Sequence, residues 1–175
     1  QINPSGHLPL TFYRSLEDLP ALSDYDITKG RTYQYLQKPA SFVFGHGLSY
    51  TTFDYTRLRV APETLTAGDA LTVTLDVTNS GPMDGDEVVQ VYVRQIARAS
   101  TAGGAASAAA ADTAGATATM PAVTKRPLKQ LKAFQRVPVA RGQTVSVRLS
   151  IPLENLAFWD VDAKKYLPEP GEYEL

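Results

Sequence analysis

The chain contains no cysteine. Disulfides, thiol nucleophiles and thiolate metal sites are therefore excluded. Histidine is scarce, with only His7 and His46, and neither an HExxH pair nor a Cys/His cluster is present. No metal site is expected on those grounds. No glycine-rich loop suited to phosphate and no G-x-S-x-G elbow occurs, so neither a cofactor nor a serine nucleophile is expected. Charge of one sign is also missing. Lys plus Arg number 17 against 18 Asp plus Glu, for a net charge of -1. Nucleic acid and an anionic membrane surface are not expected partners of such a balance. No apolar run is long enough to span a bilayer, and no leader-peptide pattern opens the chain. Residue 1 is Gln rather than Met, so the natural start is expected upstream.

What remains is a chain of 175 residues, 43% hydrophobic and 20% charged. That suits one packed domain, or a small domain joined to part of another. Residues 1–50 are irregular. Pro4, Pro9, Pro20 and Pro39 leave little room for a long helix, and the many aromatics follow no clean period. This stretch reads as a tail lying across another body. Residues 53–95 change character. Leu71, Val73, Leu75 and Val77 alternate with polar residues, as do Val89, Val91 and Val93, which predicts half-buried strands. Residues 53–60 predict a strand whose phase slips near Arg57, as a bulge would cause. Residues 97–124 are rich in Ala, Gly, Ser and Thr, whose small side chains bury too little surface to order a loop. We expect a flexible surface insert there. Strands resume at LKQLKAFQRVPV, at Thr144 to Ile151, at Leu156 to Asp160 and at Gly171 to Leu175. Short strands separated by turn clusters predict an all-β sandwich, whose final strand is expected to be incomplete. Trp159 is expected in its core, and the basic run from Lys125 to Lys129 on its solvated surface.

Chemistry is thinly represented. His46, in FGHGLSY, has no acid or nucleophile beside it. It reads as part of a tight turn in which Gly45 and Gly47 allow positive φ and Phe42, Phe44, Leu48, Tyr50 and Phe53 pack around it. Asp84, Asp86 and Glu87 could suggest the paired carboxylates of glycoside hydrolysis. Their setting, GPMDGDEVVQ, is a turn entering a strand, where Asp caps the turn. DGDE is also too short for a calcium loop. Arg31, Tyr33 and Tyr35 in RTYQY could contact a sugar substrate or form an interface stripe, since the segment lacks a core of its own. No residue is assigned a catalytic role.

The motifs NPSGHLPLTFYRS, GRTYQYL, FVFGHGLSYTTFDY, GDEVVQVYV, LKQLKAFQRV and PGEYEL, in that order, resemble the C-terminal region of glycoside hydrolase family 3. That family includes β-glucosidases and β-xylosidases. The RTYQY form after LPLTFYRSLEDLP resembles the xylosidase-like and bacterial glucosidase branches more. The resemblance implies three domains: a barrel, an α/β sandwich and a fibronectin type III-like β-sandwich. Residues 1–40 would be the end of the α/β sandwich domain, 41–52 a joint, and 53–175 the fibronectin type III-like domain. The insert at 97–124 departs from the family pattern. The family's Asp nucleophile and Glu acid/base would lie upstream. The implied partners are the barrel and α/β sandwich domains of the parent enzyme and its β-linked oligosaccharide or glycoside substrate. The implied location is periplasmic or secreted. A stand-alone β-sandwich binding carbohydrate or a protein is the alternative.

Overall fold

The structure is a computed structural model that describes residues 2–98, 126–160 and 162–175. The low-complexity insert expected at 97–124 lies, from residue 99 on, outside the described residues. Two three-stranded antiparallel sheets face each other. One has the order β1(Phe53–Ala61), β2(Ala70–Asn79), β5(Thr144–Pro152). The other has the order β4(Gln130–Val139), β3(Gly85–Arg98), β8(Gly171–Glu174). A separate hairpin is formed by β6(Phe158–Asp160) and β7(Lys165–Leu167).

Alternation builds the core. On β2, Leu71, Val73, Leu75 and Val77 point inward, with Val147, Leu149 and Ile151 of β5 beside them. Val89, Val91 and Val93 of β3 and Val137 and Val139 of β4 close the sandwich from the other sheet. Val77 and Ile151 are completely buried. Each such side chain contributes about 1.5–3 kcal/mol. The all-β sandwich expected from the period-2 pattern is the fold observed.

Irregularities fall at identifiable residues. The β1–β2 register shifts between Thr56 and Arg59, and Arg57 sits there with φ +53°. This is the bulge that the phase slip predicts. A second shift falls on β4. Val91 pairs with Ala133 and Tyr92 with Leu131, which leaves Lys132 as the extra residue. Strand β3 is longer than the alternating run EVVQVYVR and reaches Arg98, pairing with β8 at Gly171.

Two expectations are corrected. Trp159 is not in the sandwich core. It stands 49% exposed on the β6–β7 hairpin, edge-on to Tyr166 at 5.3 Å. The basic run is not wholly solvated either. Arg126 is only 17% exposed, ion-paired with Glu169 and lying over the Phe158 ring at 4.4 Å.

Candidate functional site at the joint

Of the residues singled out from sequence, Tyr33 lies where residues 2–52 cross the outer face of β3 and β4. A short helix, α1(Thr32–Tyr35), and the chain before β1 form this contact. Its α1 begins with Thr32 at φ +58°, and the Tyr13 hydroxyl accepts the Thr32 N–H at 2.8 Å. Tyr33 stacks on Phe44 with ring centroids 4.2 Å apart and meets Tyr92 of β3 edge-on at 6.0 Å. Its hydroxyl accepts the Leu131 N–H at 3.0 Å, which fills a donor at the β4 bulge. Lys129 lies over the other ring of the cluster, Tyr92, at 4.8 Å.

Tyr35 is 7% exposed, and burial pushes its hydroxyl pKa up. Arg31 turns away from the rings, and its Nη2 donates to the carbonyls of Ala21 and Asp24. Thus RTYQY is spent largely on contacts within the chain. Tyr33 also lines a groove of 530 Å³ with Leu36, Phe44, Tyr92 and Lys129.

The FGHGLSY loop pairs with the start of the chain. Isolated bridges join His7 to Gly47 and Phe12 to Phe42. Leu8 N–H donates to the His46 carbonyl and Gly45 N–H to the Leu8 carbonyl, both at 2.8 Å. Gly45 has φ +80°, and a Cβ there would come within 2.3 Å of the Tyr92 hydroxyl. Gly47 does not have positive φ, contrary to expectation. It is required by close approach instead, because a Cβ would fall 1.9 Å from His7 Cδ2. The His46 ring tilts against Phe42 at 5.4 Å. It lines a 370 Å³ apolar groove with Leu8, Phe12, Phe42 and Leu48. That setting is packing, not an acid–base constellation.

Polar side chains tie the residues before β1 to one another and to the sandwich. Asn3 Oδ1 accepts the Tyr50 N–H at 2.8 Å, and Asn3 Nδ2 donates to Ser49 Oγ at 3.0 Å. Asn79 is fully buried at the end of β2. Its Oδ1 accepts from Thr51 Oγ1 at 2.6 Å and from Gly81 N–H at 3.1 Å. Its Nδ2 donates to the carbonyls of Met83 and Val139, each at 2.9 Å. Sequence reasoning missed Asn79 because NSGP reads as an exposed turn.

The three acidic residues entering β3 go separate ways. Asp84 Oδ1 accepts the Arg141 N–H at 2.8 Å. Asp86 pairs with Arg136 at 2.5 Å. Glu87 accepts the Tyr55 hydroxyl at 2.7 Å. Burial, then that hydrogen bond and the adjacent negative charge, push the Tyr55 pKa far up. Asp84 braces the turn between β4 and β5, Asp86 braces β4 and Glu87 braces β1, and the three do not form a facing acid–base pair. Among the described residues, no group of three or more His, Asp or Glu side chains could hold a metal ion.

Residues 117–175 match the fibronectin type III-like domain family. Over 99% of its length the chain is 36% identical to a xylan 1,4-β-xylosidase of Xylanibacter ruminicola, of which it covers 17%. It is 30% identical to a periplasmic β-glucosidase of Salmonella typhimurium, again over 99% of the chain and 21% of that relative. The solved GH3 β-glucosidase of Bifidobacterium adolescentis superposes on 98% of the chain with a TM-score of 0.73 and 26% identity, covering 23% of that structure. The chain thus spans about a fifth of the length of the proteins it matches. The sandwich has a fibronectin type III-like fold matched over residues 117–175, and the chain as a whole is similar to the C-terminal part of β-glucosidases and a β-xylosidase.

Proposed function

We propose that this chain is the C-terminal accessory part of a retaining exo-β-glycosidase that removes terminal β-D-glucosyl or β-D-xylosyl residues. In this reading residues 1–40 complete a preceding α/β domain, residues 41–52 are the joint, and the sandwich from residue 53 braces the catalytic domains. The chemistry belongs to the rest of the enzyme, and this chain carries no catalytic carboxylate. A periplasmic or secreted location accompanies the proposal, supported by the relative named as periplasmic.

One observation carries it. Among the described residues, eleven of the nineteen exposed large hydrophobics lie in residues 2–50, whereas that stretch contributes one buried hydrophobic, Tyr35. A segment so poor in core and so rich in uncovered apolar surface is built to be covered. Its sandwich-facing side is already filled by Tyr33, Phe44 and Tyr92. Phe12 and Phe42, edge-on at 6.0 Å, face the opposite groove.

The test is hydrolysis of 4-nitrophenyl β-D-glucoside and β-D-xyloside, with the product anomer followed by NMR. The longer protein containing this chain should hydrolyse at least one with retention. The 175-residue chain alone should hydrolyse neither. Hydrolysis by the isolated chain, or an inactive or inverting longer protein, overturns the proposal.

A further inference from the structure

The outer face of the β1–β2–β5 sheet carries a second feature, a groove of 350 Å³ that the bracing role does not use. Register places Arg59 of β1 and Arg148 of β5 opposite Thr74 of β2, one on each side. Neighbouring strands lie about 5 Å apart, so two arginine side chains leave the sheet on either side of Thr74, and all three line the groove. Arg57 supplies a third cation from the bulge. Its Nε is ion-paired with Asp76 Oδ2 at 2.7 Å, and Ser146 Oγ donates to Asp76 Oδ1 at 2.6 Å.

Both Asp76 oxygens are thereby engaged, and the residue is 8% exposed. The Arg57 side chain stays 74% exposed, so its two terminal nitrogens remain available to the groove. Asp76 is the one carboxylate among the described residues lining it. Three cations to one anion leave an excess of two positive charges there, in a chain whose net charge is -1.

We propose that this groove binds the carboxylate of a uronic acid carried on a β-linked glycan. Guanidinium forks match carboxylates in two-point geometry. The Thr74 hydroxyl can donate and accept, as sugar hydroxyls do, and Ser146 Oγ, whose proton goes to Asp76, can accept. A protein ligand would instead need an apolar anchor at the centre of the contact. The groove's apolar members, Leu75 and Val147, are buried in the sandwich core and offer none. The choice of a glycan rests on the glycosidase reading, while the excess charge stands without it.

The experiment is affinity electrophoresis of the full 175-residue chain in gels containing glucuronic acid-substituted xylan, neutral arabinoxylan or polyglutamate. Retardation is expected only in the acidic xylan. It should weaken at least tenfold in the doubly substituted Arg59→Gln, Arg148→Gln chain and fade as salt shortens the Debye length to about 4 Å. Arg148→Lys, which keeps the charge but not the fork, should lie between. Each variant is compared only after its melting temperature matches the parent; these exposed sites make that the expected result. No retardation in the acidic xylan, equal retardation in arabinoxylan, or equal or stronger retardation in polyglutamate overturns the proposal. Glycoside hydrolysis by the longer protein is a separate readout. An inactive enzyme whose groove still binds acidic xylan would sink the glycosidase reading alone, and an active enzyme whose chain binds no acidic xylan would sink the groove alone.

Discussion

Asn79 is the residue on which the joint and the sandwich both depend. Its side chain makes four hydrogen bonds from a fully buried position, reaching Thr51, Gly81, Met83 and Val139. Truncation would leave a buried carbonyl and a buried hydroxyl without partners, each costing about 1–3 kcal/mol. Asn79→Ala is therefore expected to destabilise the chain by about 3 kcal/mol in urea denaturation, and Asn79→Asp, which replaces the amide donor with an acceptor, by a comparable amount. Gly47 offers a sharper contrast. A Cβ there meets the His7 ring at 1.9 Å, whereas a Cβ at Gly6 meets nothing within 4 Å. Overpacking of this kind costs about 1–3 kcal/mol. We expect Gly47→Ala to lower the melting temperature, Gly6→Ala to leave it nearly unchanged, and His7→Ala to restore much of what Gly47→Ala loses. Additive losses in the double variant would show that Gly47 and His7 do not act as one contact.

At the scale of the element, strand β4 carries both the contact to α1 and an intrusive charge. Tyr33→Phe removes the acceptor for Leu131 N–H and should cost about 1 kcal/mol. Lys132, the extra residue of the bulge, reaches a small pocket with Val93, Leu156 and Tyr173, and burial pulls its pKa below the ordinary 10.5. The sign follows from proton binding. Between its lowered folded value and 10.5, the unfolded chain holds the proton and the folded chain does not, so this group's contribution to stability rises with pH through that window. Below the window both states are charged and the folded state bears the full desolvation cost. Lys132→Met should therefore stabilise the chain at neutral pH, and the advantage over the parent should shrink as pH climbs toward 10.5. A pH-independent difference would place the effect in packing instead. Strands β2, β3 and β5 were legible because alternating side chains report which face is buried, and even the Arg57 bulge left its mark as a lost phase. The Lys132 bulge left none, since LKQLKAF has no strict alternation to break. Helix α1 is one turn long and cannot display a 3.6-residue period. Trp159 misled because a three-residue strand does not say whether it lies between sheets or in a hairpin beside them. Arg126 misled because a run of charges says nothing about a Glu169 waiting 43 residues away.

At the scale of the whole molecule, the division is between a sandwich that buries its own core and a leading segment that does not. Residues 2–50 are held by particular contacts, such as His7 on Gly47 and Tyr33 between Phe44 and Tyr92, rather than by a periodic apolar face. That is why their sequence reads as irregular although their placement is defined. Phe12 and Phe42, each about half exposed, mark the uncovered side. In water, such a patch favours self-association, and in a larger protein it favours a covering domain. The same substitutions should therefore act in opposite directions in the two settings. Phe12→Ser with Phe42→Ser is expected to reduce self-association of the isolated 175-residue chain in sedimentation velocity. In the longer enzyme proposed above it should lower the melting temperature, since truncating a covered aromatic costs about 3–5 kcal/mol. Neither residue approaches the sandwich core, so the isolated chain's own unfolding midpoint should shift little. If the pair of substitutions left the longer enzyme as stable as before, the apolar groove around His46 would be an open surface there too. The segment's proposed part in joining the domains would then have to rest on its Tyr33 side alone.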